Sequence, residues 1–93
     1  MRIDHPQIAT DQTHSMKGLF REVRYGSSNH SFILTLSAHL DNERYFHFKD
    51  TALAHELMCL LSREGNILEI TFQGTDREDF DGELLSIDSA SKL

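Results

Sequence analysis

Six histidines, one cysteine and a run of carboxylates are the side chains that could do chemistry in this chain of 93 residues. Histidines bind metals or shuttle protons, a thiol beside a histidine can act as a nucleophile, and clustered carboxylates hold calcium or work as acid and base. Each role needs partners at set positions. Residues 30–40 and 44–49 alternate apolar and polar. Pairing Leu40 with Arg44 across a three-residue connection sets His39 opposite Tyr45 and Ser37 opposite His47. His39 and His47 then become diagonal neighbours, roughly 7–8 Å apart. A zinc centre takes three or four ligands, and these two strands offer no carboxylate on that face. The expectation is no metal. His5, His14, His30 and His55 fall in the chain's opening, a turn and a helix face, where solvation is expected.

The densest acidic stretch is Asp76, Glu78, Asp79, Asp81 and Glu83, interrupted by Arg77, Phe80 and Gly82. An EF-hand loop wants acids at alternate positions and a glycine at the sixth. Counted from Asp79 the glycine comes fourth; counted from Asp76 the fifth place is Phe80. A solvated charged loop is expected instead. Cys59 follows His55 by one helical turn, so the pair could meet. The thiol sits in mid-helix, however, away from the N-terminal dipole that stabilises a thiolate, and no third group orients the histidine. Phosphate-binding glycine loops, nucleophile elbows and zincin motifs are missing from the sequence. The chain reads as a non-enzyme without a cofactor.

The elements that would position these groups follow from periodicity. Residues 1–16 carry few large apolar side chains and read as a flexible polar leader. Residues 17–25 form a first strand, closed by a turn over 26–29. In the second strand, residues 30–40, Phe32, Leu34, Leu36, Ala38 and Leu40 share one face, while Ile33, Thr35, Ser37 and His39 share the other. The third strand covers 44–49; with the pairing above, Ala38 faces Phe46 and Leu36 faces Phe48. The period then changes to 3.6. Asp50 or Thr51 caps a helix whose apolar arc holds Leu53, Ala54, Leu57, Met58, Leu60 and Leu61, and Gly65 stops it. Strands over 66–73 and 83–88 complete the single domain, 17–88, and residues 89–93 read as a frayed tail.

The resulting order, β-β-β-α-β-β, resembles the OB-fold, a five-stranded antiparallel barrel whose helix joins strands three and four. A half-open β-roll, or an antiparallel sheet with the helix across one face, shares the linear pattern. The resemblance covers residues 17–88 and rests on element order. It implies a ligand face on the first three strands, flanked by the loops between strands one and two and between four and five. Phe20, Arg24, Thr35, His39, Tyr45, His47 and Lys49 are the residues expected there.

Charge bears on the partner. Nine Lys and Arg stand against fifteen Asp and Glu, a formal charge of −6. Residues 17–49 hold five basic and three acidic side chains, whereas residues 50–93 hold three and ten. Stacking and cationic groups on the sheet face suit single-stranded nucleic acid or an oligosaccharide. Against that, Asp76, Glu78, Asp79 and Asp81 at its rim repel a phosphate chain within a Debye length of about 8 Å. The reading favoured is a small adaptor whose partner is a protein with a basic surface, steered by the charge split. The longest apolar run, residues 57–61, is five residues, against about 20 for a membrane span. With no secretory signal pattern and one cysteine, a cytoplasmic site is expected.

Overall fold

Alternation of period two becomes five strands, and the 3.6-residue stretch becomes one helix. The computed structural model describes residues 12–26, 30–39 and 42–92. The elements are β1 (Thr13–Gly26), β2 (Ser31–His39), β3 (Asn42–Phe48), α1 (Thr51–Arg63), β4 (Ile67–Gln73) and β5 (Gly82–Ser91). Their order agrees with the expectation from periodicity.

Neighbouring strands run β1-β2-β3-β5-β4, and β4 returns to β1, so the sheet closes in a ring. β1 does this by serving two partners: Thr13 to Leu19 pair with β4, and Leu19 to Gly26 pair with β2. The expectation of a purely antiparallel sheet is corrected. Five strands are an odd number, and an odd ring cannot alternate direction at every neighbour. The parallel pair is β3 with β5, confined to Phe46↔Gly82 and His47↔Glu83. Gly82 suits this junction, because a Cβ there would drive into the Phe72 ring and come within 2.7 Å of the Gln73 carbonyl oxygen.

The β2–β3 register also differs from the expected one. Leu36, rather than Leu40, lies opposite Arg44; Leu34 faces Phe46 and Phe32 faces Phe48. The slide is four residues, and an even slide leaves every side chain on the face that alternation assigned to it. A bulge between Ser37 and His39 brings His39 opposite Asn42. The core assembles from Leu34, Leu36, Phe46, Phe48, Leu57, Leu68, Ile70, Phe72, Leu84 and Ile87, and in the last strand Leu84 turns inward while Leu85, expected there with Ile87, is exposed. Phe46 and Phe72 meet at 4.8 Å between centroids, and Phe32 stacks on Phe48 at 5.1 Å.

Both ends of the domain reach further than expected. β1 begins at Thr13, inside the stretch read as a leader, and His14 stacks on Phe72 at 5.9 Å across the β1–β4 pair. The leader's remaining residues, 1–11, lie outside the described residues. Ser89 to Ser91 pair with Glu69 to Ile67 instead of fraying. Gly65 explains the tail's order: its φ of +132° lets the chain leave the helix, and a Cβ there would overlap the Ser91 carbonyl. The helix start is capped by Asp50, whose carboxylate accepts from the Ala52 N–H at 2.9 Å. Leu57 is wholly buried, and Leu53, Ala54, Leu60 and Leu61 pack half-buried against the same core. Met58 departs from the expected arc; at its edge, one position past Leu57, it is 55% exposed.

Candidate functional site

Eight residues between β4 and β5, 74–81, decide what the outer face of the ring looks like. Composition alone would leave them waving in solvent. Instead they lie against β3, fixed by a clasp at Asp81. Its backbone N–H donates to the Tyr45 carbonyl at 2.8 Å, and its carboxylate accepts from the Tyr45 N–H at 2.8 Å. Arg44 Nη1 adds a contact at 3.4 Å to the other carboxylate oxygen. At the far end, the Gly74 N–H donates to the Gln12 carbonyl at 3.2 Å. A loop held at both ends against the ring is part of the surface, not an appendage.

Its single apolar residue has a place to go. Phe80 packs against His47, and the Thr75 hydroxyl lies 3.0 Å from His47 Nε2. The Thr75 oxygen also accepts from the Arg77 N–H at 3.3 Å, while the Arg77 guanidinium stands 4.6 Å above the Phe80 ring. His47 is consequently 7% exposed. Burial pushes its pKa below the usual histidine range; Arg77 and Lys49 push the same way, with Glu83 and Asp76 opposing.

Beside Phe80 the surface opens into a groove of about 400 Å³ lined by Arg24, Ile33, Tyr45, Asp79 and Phe80. Tyr45 is 39% exposed, and its hydroxyl donates to Glu43 at 2.9 Å. That hydrogen bond, the Glu43 charge and the more distant Asp81 and Glu22 raise the phenol's pKa. The arginines near this face stand beside carboxylates: Arg21 with Glu43 at 3.7 Å, Arg24 with Glu22 at 3.7 Å, and Arg44 with Asp81 at 3.4 Å. Asp76, Glu78 and Asp79 are exposed and form no ion pair among the described residues.

Of the expected sheet-face residues, Arg24, Tyr45 and His47 come together here. Four others are placed differently. Phe20 packs against the core, because the bulge between Phe20 and Glu22 leaves it on the inner side. Thr35 is 5% exposed and so is covered. His39 pairs with Asn42, away from Tyr45, which faces Thr35. The expected diagonal with His47 is thereby removed, since His47 lies opposite Ile33. Lys49 follows the end of β3 and is exposed. In the acidic loop, Asp81 is committed to the clasp while Asp76, Glu78 and Asp79 project outward. Sequence reasoning missed Ile33, Thr75, Arg77 and Phe80; the signal available was a lone aromatic inside a charged loop.

Cys59 and His55 are both exposed on α1. Among the described residues, no group of three or more His, Cys, Asp or Glu could hold a metal ion, and no helix is long and apolar enough to cross a membrane. Searches of protein-family models, of curated proteins and of solved structures return no match to this chain.

Proposed function

We propose that the protein is a non-catalytic binding module that engages a partner protein through the outer face of the ring, at the groove between Tyr45 and Phe80. The observation that carries this reading is the pairing of charges around the groove. Phosphate-chain binding requires cationic side chains free to neutralise phosphates. Arg21, Arg24 and Arg44 each stand beside a carboxylate, Arg77 lies over Phe80, and Asp76, Glu78 and Asp79 of the same loop form no ion pair among the described residues. Such a surface favours a ligand with apolar and cationic groups. The strand order and the helix between β3 and β4 further support an OB-type barrel, in which this face and the β4–β5 loop take ligands.

A displayed library of random peptides, selected on the wild type and counter-selected on Tyr45→Ala, tests the reading. Enrichment of peptides that bind the wild type and lose binding to Tyr45→Ala supports it. Failure to enrich any peptide overturns it. So does micromolar binding of an oligo-dT strand that weakens steeply with salt, which would establish the nucleic-acid alternative instead.

A further inference from the structure

Resting on that reading, we propose that the groove takes an arginine side chain of the partner. A site for arginine must offer an apolar track for its stem, an aromatic face for its planar guanidinium, and a carboxylate to receive the fork of N–H donors. All three line this one groove. Ile33 and the Phe80 edge form the track, the Tyr45 ring is exposed, and Asp79 stands at the rim without an ion-pair partner among the described residues. The molecule already uses the same contact internally, where Arg77 covers Phe80 at 4.6 Å.

Arg24, on the groove wall, does not turn the site toward anions, because Glu22 lies 3.7 Å from its Nε. Glu43 and Asp81 are shared with Arg21 and Arg44, which leaves Asp79 as the groove-lining carboxylate that forms no ion pair among the described residues. A carboxylate or phosphate in the groove would meet Asp79, while Arg24, the cation among the lining residues, already stands beside Glu22. Lysine satisfies the groove only in part: its ammonium is a point charge that cannot stack on Tyr45 and fork onto Asp79 together.

Capped tripeptides Gly-Arg-Gly, Gly-citrulline-Gly and Gly-Glu-Gly, titrated into isotope-labelled protein and followed by amide chemical shifts, decide the matter. Citrulline keeps the shape of arginine and removes its charge. The arginine peptide is expected to shift Ile33, Tyr45, Asp79 and Phe80 saturably, at least about fivefold more tightly than citrulline, the share of an exposed cation–π contact and a screened ion pair. Asp79→Asn should reduce arginine to the citrulline level, and the fold should tolerate it because this carboxylate is exposed and makes no ion pair among the described residues. Equal binding of citrulline and arginine, an unaffected Asp79→Asn variant, or groove shifts with the glutamate peptide alone each overturn the arginine assignment. Enriched library peptides that depend on Tyr45 yet lack arginine do the same while leaving the binding module standing. An empty library selection removes both.

Discussion

The Phe80 ring stands against the His47 imidazole with centroids 4.9 Å apart and planes inclined at 61°. This contact turns a charged loop into a wall. It buries the imidazole, brings Asp79 to the groove and sets the Phe80 ring beneath the Arg77 guanidinium. The Phe80 and Asp79 side of the groove therefore depends on this contact together with the Asp81 clasp.

Replacing Phe80 by alanine is expected to cost about 1–2 kcal/mol, less than a fully buried phenylalanine because the ring is half-buried. Urea denaturation measures the loss. Amide exchange at residues 75–81 should quicken more than in the core strands. An unchanged midpoint with unchanged loop protection would mean that Asp81 alone holds the segment.

Acid should loosen the same contact. Burial favours the neutral form of His47, so the stability it contributes is complete above its ordinary pKa of about 6.5. That contribution drains away as pH falls from there through the lowered folded value. Denaturation midpoints measured between about pH 7 and 5 should fall for the wild type and flatten for His47→Gln. A His47 ring signal that titrates at or above the ordinary histidine pKa contradicts this.

Leu57 and Met58 are adjacent on α1 yet have opposite surroundings, one fully buried and the other 55% exposed. Leu57→Ala is expected to cost about 2–5 kcal/mol, and Met58→Ala about 0.5 kcal/mol or less. Equal effects in chemical denaturation would mean that α1 does not seat on the ring through Leu57.

These contrasts show what a sequence can carry. Alternation assigns Leu34, Leu36, Phe46 and Phe48 to the inner face, because each face of a strand must choose between water and the core. It is blind to a slide by an even number of residues, so the pairing of Leu36 with Arg44 was not legible. The connection length and the Ser37/His39 bulge settle it. The parallel contact of β3 with β5 follows from ring closure, which leaves no local mark on residues 82–83. At the site, Tyr45 and Arg24 were legible as outward residues on alternating strands. Phe80 was not, since composition marks its loop as solvated, and Asp81's bonds to Tyr45 and the ring's contact with His47 carry it onto the sheet.

Amide chemical-shift mapping with a peptide enriched on the wild type tests the central claim most directly. Perturbations should concentrate at Arg24, Ile33, Tyr45, Asp79 and Phe80, and Tyr45→Ala should erase them. A footprint on α1 and β5 around Met58 and Leu85, with the groove silent, would contradict the account.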